Sequence, residues 1–167
     1  MIPAVRLGEE AQRLRPLKVR PEDLGLRIPI YVGPTGTVLH DSEFAIKQML
    51  RQKSGSIVNV STTLVDQPIA GVGAAVQIML KGALNAVTGA LAIEYAKDGI
   101  RINTIAPGVI NTPMHKPETH DFLKGLHPVH RIGEVKEVVD AALFLTDATF
   151  TTGEILHVDG GAHAGKW

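Results

Sequence analysis

The chain has 167 residues, of which 44% are hydrophobic and 20% charged, with 17 acidic and 17 basic side chains. That length and composition suit one ordinary globular domain with its own core. A net charge of zero leaves no broad positive surface, so we expect neither nucleic acid nor an anionic membrane as a partner. Cysteine is absent, which excludes disulfides and thiolate chemistry. We find no signal peptide and no apolar run that we judge long enough to span a bilayer, so we expect a cytoplasmic protein.

Residues 1–37 differ in character from the rest of the chain. Five of the ten prolines lie there, interleaved with arginine and lysine. Because proline removes backbone donors and disfavours helix in the residue before it, this segment is predicted to be an irregular arm. It holds at most a short helix near 9–14 and a strand near 28–32, before a turn at 33–36. Residues 38–167 form the predicted domain.

From residue 41 onward, helices and strands are predicted to alternate. In chain order we predict a helix from an Asp41 or Ser42 cap to Gln52, a strand at 56–60, a helix at 74–97, a strand at 100–106, a loop to Arg131 with a short helix near 118–123, a helix at 134–146 and a strand at 154–158. This order favours parallel strands joined by right-handed crossovers. The second helix is apolar almost all round, so it should be covered by the sheet and by a second subunit.

Four segments occur in a recognisable order: SGSIVNVST (54–62), KGALNAVTGALAIEYAKDGIRINTIAPGVINTPM (81–114), RIGEVKEVVDAALFL (131–145) and TGEILHVDGG (152–161). Together they resemble the short-chain dehydrogenase/reductase family. The resemblance implies an α/β fold, here a truncated Rossmann-like three-layer sandwich with a mostly parallel sheet. It also implies NAD or NADP as cofactor and hydride transfer with an alcohol or carbonyl substrate.

Three residues match the positions where the family carries its catalytic groups. Lys81 corresponds to the lysine that holds the nicotinamide ribose, and Ser61 or Thr62 to the serine that binds the substrate oxygen. Each also has a plain structural explanation. A lysine in an apolar helix can extend its amine to solvent, and hydroxyls after a strand often cap the turn. Which of the two hydroxyls matches is left open.

The loop beginning at Pro107 matches the family loop that binds the nicotinamide carboxamide. Pro107 and Gly108 shape this loop, Ile110 offers backbone groups and Thr112 offers its hydroxyl. The alternative is that Pro-Gly is simply the turn after a strand.

Two departures from the family pattern bear on activity. Gln77 stands one helical turn before Lys81, where the family has its catalytic tyrosine. An amide has no usable acidity near neutral pH, and losing a positioned general acid typically costs about 10²- to 10⁴-fold in rate. The sequence also contains no Gly-x-x-x-Gly-x-Gly turn for the cofactor pyrophosphate, so cofactor binding is in doubt. We therefore expect a weak or degenerate oxidoreductase.

A histidine-rich loop offers a different chemistry. Imidazoles and carboxylates crowd sixteen residues: His115, Glu118, His120, Asp121, His127 and His130. Such groups bind zinc and similar metals, but their spacing matches no metal motif, so we assign no metal ligands. A metal-dependent or hydrolytic activity of this loop is the third hypothesis, after the oxidoreductase and a noncatalytic relic that serves as an oligomerisation module.

The resemblance also predicts a homo-oligomer. The strands that it places beside 28–32 and 56–60 are missing, which leaves an open sheet edge for the arm or another copy to cover. We expect further contact through the apolar helices, around Leu84 to Leu91 and Val135 to Leu145. The small-molecule substrate is unknown.

Overall fold

The computed structural model describes the backbone of residues 38–165 and the side chains of residues 45–165. The predicted arm, with its helix and its strand at 28–32, lies outside the described residues. The helices and strands are α1 (Val38–Gln52), β1 (Gly55–Val60), α2 (Ala75–Tyr95), β2 (Ile100–Pro107), α3 (His120–Lys124), α4 (Val135–Asp147) and β3 (Ile155–Val158). The predicted order of elements is thus confirmed, and the ends of most elements agree to within one or two residues.

The predicted start of α1 is wrong. The helix begins at Val38, so Asp41 and Ser42 lie inside its first turns and not at its cap. Thr37, directly before Val38, is a residue type that favours the N-cap position, and it is the signal in the sequence that indicates the earlier start. The end at Gln52 is as predicted, and Arg51 in the last turn complements the negative end of the helix dipole.

The three described strands form one parallel sheet in the order β1-β2-β3. Ile57 of β1 lies opposite Ile102 of β2, and on that face both pack with α1 and α2. Val58 and Ile105 point to the other face, where they pack with Leu145 of α4. Helices therefore cover both faces, which confirms a Rossmann-like three-layer arrangement.

Buried polar side chains between α2 and the sheet are hydrogen-bonded to one another. The Thr88 hydroxyl donates to the carbonyl of Leu84 at 2.9 Å and lies 2.7 Å from the hydroxyl of Thr104. Asn59 donates to Thr88 at 3.3 Å. Because an unpaired polar group here would be costly, this set fixes how α2 lies on the sheet.

Helix α2 is more exposed than a core helix would be. Leu84, Thr88 and Ala92 are buried, but Val76, Met79 and Ile93 are 65%, 65% and 84% exposed. The stretch Ala75–Asp98 is long and apolar enough to cross a membrane by length and composition, which corrects the expectation that no apolar run is long enough. One such helix is weak support for a membrane span, and this one packs on β2 through its buried side.

Helix α4 starts with a reciprocal cap. The Glu134 side chain accepts from the backbone of Glu137, whose carboxylate accepts from the Glu134 backbone N–H at 2.8 Å. Arg131 donates to the same Glu137 carboxylate at 2.6 and 2.8 Å. Its hydrogen bond and charge hold the pKa of Glu137 down to about 2. The loop that precedes α4 is therefore tied to the helix start.

Candidate active site

The candidate site lies at the carboxyl ends of the three strands. Parallel α/β sheets bind their ligands on this side, just beyond the last residues of the strands. Three segments leave the sheet here, at 61–74 after β1, 108–134 after β2 and 159–165 after β3. They enclose a cavity of about 680 Å³, within the range of roughly 300–1,000 Å³ usual for small-molecule sites.

The structure separates the two candidate hydroxyls after β1. Ser61 is buried, and its Oγ donates to the Lys81 carbonyl at 3.4 Å, so it serves the backbone of α2. Thr62 lines the cavity, and its Oγ1 accepts the backbone N–H of Leu64 at 3.3 Å. Because that bond uses a lone pair, the Thr62 hydroxyl keeps its proton to donate to a ligand.

Lys81 is half-buried near the start of α2. Its Nζ donates to the carbonyl of Val60 at 2.6 Å, and burial lowers its pKa. Gln77, one turn earlier, is exposed. Neither residue lines the cavity itself. Lys81 therefore does not simply extend its amine to solvent, and it is anchored at the end of β1, one residue from Ser61.

The loop after β2 is packed tightly at Gly108. A Cβ on this residue would lie 2.6 Å from Nε2 of His127 and 3.0 Å from Cα of Asp159, so glycine is required. The Gly108 N–H donates to the Val158 carbonyl at 3.0 Å. Pro107, the last residue of β2, pairs with Val158. The tail after β3 thus holds this loop in place.

Ile110 is the residue whose backbone groups the resemblance assigns to the nicotinamide carboxamide. Its neighbours bridge to Gly133: Gly133 donates to Val109 at 2.9 Å and Asn111 donates to Gly133 at 2.8 Å. Among the described residues, the N–H and C=O of Ile110 itself have no hydrogen-bond partner. The Thr112 side chain also has none within that part of the chain. These groups have the donor and acceptor chemistry that a carboxamide requires.

His127 supports the same loop from within the protein. It is 2% exposed, and its Nε2 accepts the Val109 N–H at 3.0 Å, so its proton lies on Nδ1 when the ring is neutral. Nδ1 has no partner at ordinary hydrogen-bond geometry. Burial lowers the pKa of His127, against the raising effects of Asp159 and of the Leu123 and Arg131 carbonyls. Neutral His127 is therefore the form that fits this site.

Asp159 organises the tail after β3. Its buried carboxylate accepts from the Thr63 hydroxyl at 2.6 Å, from the N–H groups of Gly161 and His163 at 3.0 and 2.8 Å, and from the His163 ring. Burial raises its pKa, but these hydrogen bonds outweigh burial and leave the pKa lowered. Because Ala162 and Gly165 line the cavity, Asp159 also positions one of its walls.

A pair of stacked histidines continues this network to the surface. The rings of His157 and His163 have centroids 3.8 Å apart and an interplanar angle of 19°. His157 Nε2 lies 2.9 Å from the carboxylate of Asp66, in the segment after β1. The β1 and β3 ends are thus connected through two acid–histidine contacts.

The histidine-rich loop does not gather its imidazoles into one site. Nε2 of His120 contacts the His115 carbonyl at 3.1 Å, while Asp121 pairs with Lys124 at 2.8 Å. His127 turns inward and His130 is exposed. Within residues 45–165, no three histidine or acidic side chains are placed to share a metal ion. The arrangement gives the metal hypothesis no support.

Comparison with known proteins agrees with this geometry. Residues 36–163 match a family model described as enoyl-(acyl carrier protein) reductase. The structure also resembles that of ElxO with NADP bound, with a TM-score of 0.69 and 30% identity over 74% of this chain and 52% of that one. The chain therefore belongs to the short-chain dehydrogenase/reductase family, with a Rossmann-like α/β fold.

Its relatives are oxidoreductases. The chain is 41% identical over 117 residues to a 3-oxoacyl-[acyl-carrier-protein] reductase of Bos taurus, covering 70% of this chain and 48% of that protein. It is 35% identical over 145 residues to carbonyl reductase family member 4 of Xenopus laevis, covering 87% and 59%. The chain thus spans about half the length of the curated relatives that it matches.

Sequence reasoning missed the supporting residues of the site. Thr63 and Asp159 were assigned no role, although Asp159 stands in the VDGG segment that carried the resemblance. His127 was considered only as a metal ligand. Their partners lie 96 and 18 residues away along the chain, so spacing gave no signal for either contact.

Proposed function

We propose that this protein is an NAD(P)-dependent oxidoreductase that transfers hydride between the cofactor and an alcohol or carbonyl compound, with a low rate. One observation carries the proposal. The Thr62 hydroxyl, which keeps its proton, and the Pro107–Thr112 loop both lie at the carboxyl ends of the strands, where Thr62 and Gly108 border the same cavity. Relatives that reduce 3-oxoacyl and carbonyl compounds, and a structural neighbour with NADP bound, support it.

The chain's residues fit the nicotinamide half of the cofactor. The free backbone groups of Ile110 and the Thr112 hydroxyl would hold the carboxamide, and Lys81 would hold the ribose. A bound nicotinamide supplies or accepts the hydride. The sequence has no Gly-x-x-x-Gly-x-Gly turn for the pyrophosphate, so we expect weak binding, with a Kd well above that of family members that have the turn.

Thr62 would act on the substrate oxygen. In the reducing direction, its hydroxyl donates a hydrogen bond to the carbonyl, which stabilises the negative charge that develops as hydride arrives at the carbon. The Gln77 amide cannot then protonate the alkoxide, so the proton comes from water. We expect a rate roughly 10²- to 10⁴-fold below that of an enzyme with a positioned phenol.

The test is oxidation of NADPH and NADH by the purified protein with a panel of aliphatic and aromatic ketones. We expect slow turnover that Thr62→Val reduces by about tenfold or more, while Thr149→Val, an exposed threonine after α4, leaves the rate unchanged. Turnover that does not depend on Thr62 would contradict its assigned role. No turnover with any ketone, despite cofactor binding, would favour the noncatalytic hypothesis.

That second hypothesis, an oligomerisation module, has its own support in the exposed apolar side chains. We propose a homo-oligomer, with α2 and α4 as the contact surfaces. Leu84 is buried in the protein's own core, so the contact on α2 would use Val76, Met79 and Ile93 instead. On α4, Val135, Val139 and Leu143 are exposed at successive turns and form a stripe suited to a self-complementary contact.

Light scattering tests the oligomer. We expect a mass of at least two chains, and we expect Val139→Asp to lower it. Asp140→Asn, on the polar side of the same turn, should not. A monodisperse monomer of the unaltered protein would contradict the proposal.

A further inference from the structure

We infer that the cavity at the carboxyl ends of the strands binds uncharged compounds with an alkyl chain, and not polyols or carboxylates. The inference rests on the proposed function in one respect: it takes such a compound to be the substrate, through its carbonyl or hydroxyl. Binding itself needs neither cofactor nor turnover.

The walls of the cavity are mainly apolar and come from all three loop segments. After β1 they are Leu64, Pro68, Ile69, Ala70 and Val72; after β2 they are Val109, Met114, Phe122, Leu123 and Leu126. A volume of about 680 Å³ leaves space for a chain of several methylene groups beside a small polar head. Each buried methylene gains about 0.8 kcal/mol, which is about a fourfold change in Kd.

No aspartate, glutamate, lysine or arginine is among the described residues that line the cavity. Burying a carboxylate or an ammonium there would leave it without an aspartate, glutamate, lysine or arginine as its ionic partner, which is strongly unfavourable. His127 is no substitute for such a partner, because burial lowers its pKa and its Nε2 already accepts from Val109. A charged ligand is therefore disfavoured.

The polar atoms available to a ligand are few. Thr62 keeps a hydroxyl proton, and Gln67 and His115 contribute an amide and an imidazole. The Thr63 hydroxyl is occupied by Asp159 at 2.6 Å. Such a set can satisfy one carbonyl or hydroxyl, whereas a polyol would bury several hydroxyls without partners. The lining thus selects for a single polar head on an apolar body.

Calorimetric titration of the cofactor-free protein with 2-hexanone, 2-heptanone and 2-octanone tests the inference, with sorbitol and hexanoate as comparison ligands. We expect saturable binding of the ketones, with Kd falling about fourfold per added methylene, and at least tenfold weaker binding of sorbitol and hexanoate. A Kd that does not change with chain length, equal binding of sorbitol, or no ketone binding would each overturn it.

A matched pair of variants places the ligand in this cavity. Val72→Asp puts a carboxylate on the wall and should weaken 2-octanone binding by tenfold or more. Phe150→Asp places a carboxylate on a fully exposed residue after α4, outside the cavity, and should leave Kd unchanged. If Val72→Asp does not fold, Ile69→Ser is used, with a smaller loss expected. Equal Kd values for wall and control variants would overturn the inference. Ketone binding without NADPH oxidation would refute the proposed reaction alone.

Discussion

The hydrogen bond between Thr63 and Asp159 connects the segment after β1 with the tail after β3. Thr63→Val keeps the shape of the side chain and removes the hydroxyl that donates at 2.6 Å. Hydrogen bonds to charged groups contribute about 1.5–3 kcal/mol. We therefore expect Thr63→Val to lower the Tm by roughly 3 to 12 °C, because each kcal/mol lowers the Tm of a chain of this size by about 2–4 °C.

The loss of stability that Thr63→Val causes should depend on pH. The pKa of Asp159 is lowered in the folded protein, so the stability from its carboxylate is fully present above the ordinary value of 3.8. It is lost as the pH falls through the lower folded value. We expect the full effect of Thr63→Val at pH 7 and a smaller effect below about pH 4.

A double-mutant cycle identifies the pair as the cause. Asp159→Asn removes the charge, and Thr63→Val should cost much less in that background, with Thr149→Val as the exposed control. A Tm for Thr63→Val equal to that of the unaltered protein, or the same loss with and without Asp159, would refute the reasoning.

Two further substitutions test the site. Gln77→Tyr places a phenol one turn before Lys81, and we expect the rate of ketone reduction with NADPH to rise by about 10²-fold or more. An unchanged rate with intact cofactor binding would mean that this turn of α2 does not lie beside the substrate. Gly108→Ala places a methyl group 2.6 Å from Nε2 of His127 and should lower the free energy of unfolding by about 1–3 kcal/mol in urea. Gly73→Ala, where no atom lies within 4 Å of the new methyl, should have little effect, and equal losses for both glycines would contradict the packing argument.

The elements of the fold were predictable because each carries a local pattern. The β-branched run before Ser61 and the Gly99 break after α2 mark element ends in the sequence itself. Gly99 has a φ of 73°, a left-handed conformation that glycine adopts without strain. The start of α1 was predicted too late because Thr37, Asp41 and Ser42 are all residue types that favour the N-cap position, and local sequence alone does not choose among them.

The candidate site was predictable only in part. The Pro107 loop and Lys81 follow from the family resemblance, but choosing between Ser61 and Thr62 required knowing which way each side chain points. Adjacent residues after a strand point in different directions, so one sequence leaves both open. The contacts of Asp159 and His127 join distant segments, and only the folded chain brings them together.

The central claim, that this chain keeps the nicotinamide half of a short-chain dehydrogenase/reductase site, is tested most directly by titration with NADPH and NADH. Nicotinamide fluorescence and thermal stability are followed together, since a ligand that binds only the folded state must raise its stability. The account predicts weak but saturable binding of at least one cofactor, with a Kd raised about tenfold or more by Lys81→Ala and unchanged by Lys97→Ala, just beyond the carboxyl end of α2. No binding at millimolar cofactor would contradict it, and so would a Kd that Lys81→Ala does not change.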